Sequence, residues 1–182
     1  LRALGKQVRL VNRDPPPAAF SVFPGVADIE VAPRVEGEFD AAIVLESSDL
    51  ARTGVEGIER AFLINIDHHP GNTGYGAINW FDPGASACGE MVFALVQALG
   101  VTLSAEIATH LYLAILTDTG GFHFSNVTSR TFDICRQLVE AGADRDPDAA
   151  GAYYNYCAGP RKPLLPRIHA MELDPWVRLA LL

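Results

Sequence analysis

Leu63 to Asn72 reads L-I-N-I-D-H-H-P-G-N, and within it an acid and two imidazoles, Asp67, His68 and His69, follow one another without a break. Side chains of these types hold hard or borderline divalent cations and exchange protons with phosphate oxygens. The run before them, Phe62 to Ile66, is apolar with strand character, and Pro70-Gly71 stops it. The triplet is therefore expected on the C-terminal lip of a strand, where open α/β sheets place their ligands. One His beside one Asp is ordinarily a hydrogen-bonded surface pair, but Asp-His-His directly after a buried strand points to metal or phosphoryl chemistry.

Other acids converge on that lip. Phe39 to Glu46 (F-D-A-A-I-V-L-E) is a near-continuous apolar run, the pattern of a central parallel strand covered on both faces, and it too ends in an acid. Ser47, Ser48 and Asp49 follow, with Arg52 in the loop beyond. A short helix around Val55 to Arg60 joins the two runs, so both strands end on the same sheet edge. Asp118 lies in T-D-T-G-G-F-H-F-S-N (Thr117 to Asn126), where a helix ends and two glycines let the backbone turn sharply.

Glu46, Asp67, His68, His69 and Asp118 are carboxylates and imidazoles without a thiolate, a set that suits Mn²⁺ or Mg²⁺ better than structural zinc. Two such ions, roughly 3.5 to 4 Å apart and sharing a carboxylate, generate a hydroxide near neutral pH and hold both oxygens of a phosphoryl transfer. They also relieve the repulsion among neighbouring acids. His110, within a helix, reads as a packed or half-exposed histidine.

The elements that must position this set follow from periodicity. Strands are expected at Gln7 to Val11, weakly at Asp28 to Ala32, and at Ala77 to Phe81. Leu1 to Lys6 resembles a helix's last turn closed by Gly5, and the prolines of Asn12 to Pro17 demand loop. A helix starting near Ser86 and Glu90 carries Met91, Val92, Leu95, Val96 and Leu99 at helical spacing. A second, Ser104 to Thr117, has a Ser cap, and an amphipathic third, Thr128 to Ala141, points Phe132, Ile134, Leu138 and Val139 inward. Asp146 to Tyr156 reads as another helix, followed after Pro160 by a proline-punctuated stretch and a last amphipathic segment. The expected fold class is α/β, a mainly parallel sheet of about four to five strands flanked by helices on both faces.

Composition narrows the function. The net charge of −8 leaves no basic face for gripping long duplexes or anionic membranes, though a small anionic substrate stays compatible with a local cation. Cys88, Cys135 and Cys157 form neither a disulfide framework nor a zinc knuckle, which suits a reducing, cytoplasmic setting. No apolar run approaches the roughly 18 residues of a membrane span. Phosphate-loop, dinucleotide-fingerprint and nucleophile-elbow patterns are missing, which removes nucleotide-triphosphate switching and serine hydrolysis.

I-D-H-H-P-G-N at Ile66 to Asn72, L-E-S-S-D-L-A-R-T-G at Leu45 to Gly54, A-S-A-C-G-E-M-V at Ala85 to Val92 and I-L-T-D-T-G-G-F-H-F-S-N at Ile115 to Asn126 resemble the DHH phosphoesterase family, in its oligoribonuclease and 3′-phosphoadenosine 5′-phosphate phosphatase branch. The resemblance implies a metal-dependent phosphoesterase acting on short RNA or DNA oligonucleotides or nucleoside bisphosphates, with two Mn²⁺ in the complete enzyme or Mg²⁺ in their place. It makes His68 and Asp118 metal ligands, sets Asp67 behind the His68 imidazole and turns His69 to the scissile phosphate. Arg52, Asn72 and His123 fall on the substrate side. The family's bridging aspartate falls at Glu46, a longer acid, with Asp49 as the alternative. Inorganic pyrophosphatase, cyclic dinucleotide phosphodiesterase, RecJ-like exonuclease and a non-catalytic nucleotide-binding scaffold are the other readings, and a homodimer is compatible with all of them. The same resemblance implies a DHH domain over residues 1–157, with 158–182 leading toward a DHHA1 domain. The family's first acidic motif would precede Leu1, so the 182 residues alone are expected to be inactive.

Overall fold

A computed structural model describes residues 1–144 and 178–181. β1 (Arg9–Asn12), β2 (Ile29–Val31), β3 (Ala42–Leu45), β4 (Leu63–Asp67) and β5 (Ile78–Phe81) are joined in the sheet by β6 (Arg178–Leu181), in the order β2-β1-β6-β3-β4-β5. β1 pairs parallel with β2, and β3, β4 and β5 pair parallel in succession, with Leu45 beside Ile66 and Asp67 beside Phe81. The α/β, mainly parallel sheet is as expected.

β6 is the addition. It runs antiparallel between β1 and β3, where the sequence suggested a last amphipathic segment. A gap at that place would leave the facing N–H and C=O groups of β1 and β3 without ladder partners, and an added strand satisfies both. The helix expected at Asp146 to Tyr156 and the proline-punctuated stretch after it lie outside the described residues.

Strand alternation divides the core. Ala42, Val44 and Leu63 face one side with Val11, Val35, Val55 and Ile58, under the 3₁₀ helix Ile58–Arg60. Ile43 and Ile66 face the other, against Ala85, Cys88 and Met91 at the start of α1 (Cys88–Ala98). α2 (Ala105–Asp118) and α3 (Ser129–Glu140) pack behind α1 around Phe93, Leu111, Ile115, Ile134 and Leu138. Gly89 allows α1 its close approach to α2, since a Cβ there would stand 3.0 Å from the Ala114 methyl and 3.2 Å from the Leu111 carbonyl oxygen.

Caps fix the helix starts. Ser104 accepts from Ile107 N, and Thr128 and Thr131 form a reciprocal box at α3. Phe132 departs from its expected inward position: it is 56% exposed, stacked on Phe122 with ring centroids 5.7 Å apart. The apolar stripe of α3 is filled by Ile134, Cys135 and Leu138, which leaves Phe132 on its margin.

Candidate metal centre

The sheet's C-terminal edge gathers the acids and imidazoles. Glu46 follows β3 in the left-handed conformation, φ 63°, which costs a non-glycine residue about 1 kcal/mol. Its N–H donates to the Ile66 carbonyl at 3.1 Å and so holds this turn against β4. From there Glu46 Oε1 lies 3.0 Å from His68 Nε2 and 3.6 Å from His69 Nε2. Asp118, the last residue of α2, puts Oδ2 3.7 Å from His68 Nε2. One ligand atom each from Glu46, His68 and His69 falls within 4.8 Å of the others.

His68 is oriented by main chain. Its Nδ1–H donates to the Ala85 carbonyl at 3.0 Å, and a carbonyl can only accept. Nε2 is therefore the nitrogen left to face Glu46 and Asp118. Burial pushes this imidazole down in pKa, but the hydrogen bond and charge of Glu46, the Ala85 carbonyl and the Asp118 charge outweigh it and raise it to about 9. So negative a pocket favours a cation, and a divalent ion held there would displace the His68 proton. By donor chemistry the residues fit Mn²⁺ or Mg²⁺.

Asp67 has another partner than expected. It is fully buried, and its Oδ1 accepts from His69 Nδ1 at 2.7 Å, whereas the sequence suggested that it backs His68. Asn72, expected on the substrate side, donates to Asp67 Oδ2 at 2.6 Å and accepts from Asn65 Nδ2 and Gly74 N. Burial pushes the Asp67 carboxyl up, and the hydrogen bonds from His69 and Asn72 bring it below its usual value. His69 is raised by the Asp67 bond against burial, with Glu46 adding to the rise. Its Nε2 thus faces the centre as a donor when protonated.

The remaining candidates are peripheral. Asp49 caps a 3₁₀ turn by accepting from Ala51 N at 2.8 Å, so Glu46 is the acid of this loop that enters the cluster. Arg52 is exposed and donates to Ser48 Oγ at 3.3 Å. His123 is exposed, with Nδ1 donating to the Gly120 and Gly121 carbonyls at 3.1 and 2.9 Å, which leaves Nε2 directed elsewhere. His110 donates from Nε2 to the Pro24 carbonyl at 2.8 Å beside Phe23, the packing role expected of it.

Sequence reasoning missed the scaffold behind His68. Ser86 Oγ donates to Glu90 Oε1, and Arg130 donates to Glu90 Oε2 at 2.7 Å and Asp82 Oδ2 at 3.1 Å. Thr131 Oγ1 donates to Ser86 Oγ at 3.1 Å, and Asn126 Nδ2 donates to the Ser86 carbonyl at 2.9 Å. A Glu in the first turn of a helix with a full apolar face was the available signal; its Arg partner, 40 residues on, was not visible.

The chain is 36% identical over 144 residues to the bifunctional oligoribonuclease and PAP phosphatase NrnA of Thermus thermophilus, covering 78% of this chain and 43% of that protein. It is 36% identical over 83 residues to NrnA of Bacillus subtilis, covering 44% of this chain and 26% of that protein. The chain thus spans less than half the length of these curated relatives. A solved structure of an exopolyphosphatase-related protein from Bacteroides fragilis superposes with TM-score 0.68 at 24% identity, covering 79% of this chain and 46% of that one, a likeness of fold. No family model matches the chain.

Proposed function

We infer that this chain, a DHH-type phosphoesterase domain similar to NrnA, is the metal-holding part of a hydrolase that cleaves phosphoester bonds in short oligoribonucleotides and nucleoside 3′,5′-bisphosphates. The observation that carries the reading is the convergence of Glu46, His68 and His69 ligand atoms within 4.8 Å, with Asp118 beside His68, on the lip of a parallel sheet. Glu46, His68 and Asp118 would hold a divalent cation, Mn²⁺ in this reading and Mg²⁺ as the harder alternative. Bound there, such a cation would supply Lewis acidity and lower the pKa of a water toward neutrality.

The chain's own side chains do the rest. His69, held by Asp67 and raised in pKa by that bond, would donate through Nε2 to a phosphate or leaving oxygen when protonated. Asp67 stays charged and is fixed by Asn72, so the His69 ring has one orientation. Arg52 and His123, both exposed, are the side chains we assign to a second phosphate or a base. No described helix is long and apolar enough to cross a membrane, Cys88 and Cys135 are free, and we read the protein as cytoplasmic.

The test is turnover by the full-length protein with Mn²⁺. Phosphate release from 3′-phosphoadenosine 5′-phosphate and mononucleotide release from a labelled RNA dinucleotide are expected, and both stop on chelation. Hydrolysis of pyrophosphate or a cyclic dinucleotide alone would move the protein to another activity. Inertness toward all four substrates, unchanged by Mn²⁺ or by Glu46→Gln, would favour the scaffold reading.

A further inference from the structure

We propose that Asn126 is a positioning residue that sets the separation of His68 and Asp118, and this rests on the metal-centre reading above. Its single amide nitrogen donates to two main-chain carbonyls, Ser86 O at 2.9 Å and Asp118 O at 3.2 Å. Ser86 adjoins Ala85, whose carbonyl holds His68 Nδ1 at 3.0 Å. One –NH₂ group therefore ties the segment that orients one ligand to the residue that supplies the other.

The arm that carries Asn126 is itself fixed to Asp118. Thr119 is fully buried, its hydroxyl donates to the Ile115 carbonyl at 2.7 Å and accepts from Phe122 N at 3.1 Å, and its carbonyl accepts from His123 N and Phe124 N. Gly120, Gly121 and Phe122 run in succession through the left-handed region, at φ 57°, 67° and 67°. For Phe122 that conformation is uphill, and it persists where surroundings over-determine it. On the other side, Ser86 is held through its hydroxyl by Thr131 and Glu90. The Asn126 amide thus joins two stiff bodies, and it fixes the 3.7 Å between His68 Nε2 and Asp118 Oδ2. Helix packing alone brings α1 and α2 together; the clamp sets the last few tenths of an ångström, to which cation geometry is sensitive.

The clamp makes an ordered prediction for substitutions in the full-length protein. Asn126→Ala removes both donors and should weaken Mn²⁺ roughly tenfold by calorimetry, in the range known for groups that orient metal ligands. Asn126→Asp, closest in shape, puts a carboxylate against two carbonyls and should weaken it more than Ala does. Co²⁺-loaded Asn126→Ala should show a shifted visible absorption band, with the metal-free melting temperature unchanged. An Asp variant that binds like wild type, or tighter than Ala, would overturn the clamp while leaving the metal-centre reading intact. A wild-type protein that takes up neither Mn²⁺ nor Co²⁺ would overturn both.

Discussion

His68→Ala in the full-length protein is expected to lower kcat/KM on a dinucleotide or a nucleoside bisphosphate by about a thousandfold or more, roughly 4 kcal/mol of transition-state stabilisation. The loss is that large because His68 Nε2 is the nitrogen at which Glu46 and Asp118 converge, at 3.0 and 3.7 Å. Asp118→Ala should match it, since the same cation loses its other flank. His110→Ala should stay near wild type, because that ring donates to the Pro24 carbonyl and packs on Phe23. Melting temperatures of the three variants separate loss of chemistry from loss of fold. Equal activity losses across all three would place the reaction elsewhere on the chain.

Arg130→Met is expected to destabilise the protein by about 3 kcal/mol, the lower end of what removing one partner of a buried ion pair costs. The Glu90 side chain is 1% exposed, and Arg130 is the cation paired with it. Without Arg130, the buried Glu90 carboxylate loses this charged partner. Arg130 itself is 48% exposed, so water enters part of the space it leaves, which argues for the lower figure. Adding Glu90→Gln to Arg130→Met should recover most of the loss in urea unfolding of metal-free protein. A double variant no more stable than Arg130→Met would mean that Arg130 acts through Asp82 instead.

How much of this was legible beforehand follows from what a sequence encodes locally. Glu46, Asp67, His68 and His69 were placed on one lip because apolar runs of strand length ended in them, and strand termini are written in composition. Asp118 was legible as an acid at a helix end before two glycines. The partners of these groups were not. His68 is oriented by a carbonyl 17 residues away, and main-chain acceptors leave no mark on residue type. Asp67 turns to His69 because Asn72 occupies its other oxygen, which depends on the path of the loop after Pro70-Gly71. Phe132 satisfies helical periodicity and still lies outside, because Phe122 offers it a ring at the margin of the core. β6 was illegible for another reason: its place is set by the unpaired edges of β1 and β3 and not by its own pattern.

The most direct measurement is a calorimetric titration of Mn²⁺ into chelator-treated, full-length protein across pH 6.5 to 9, a range that runs from the ordinary His value to the folded His68 value of about 9. With its pKa raised to about 9, His68 would hold a proton at pH 7 that the cation displaces, so filling the His68 position should release about one proton per protein, read from buffers of different ionisation heat. Affinity should weaken by up to about tenfold for each pH unit as the pH falls from 9. In His68→Ala and Glu46→Gln the saturable uptake should be lost. Binding that ignores pH in wild type and survives unchanged in both variants would contradict the claim that these residues form the metal centre.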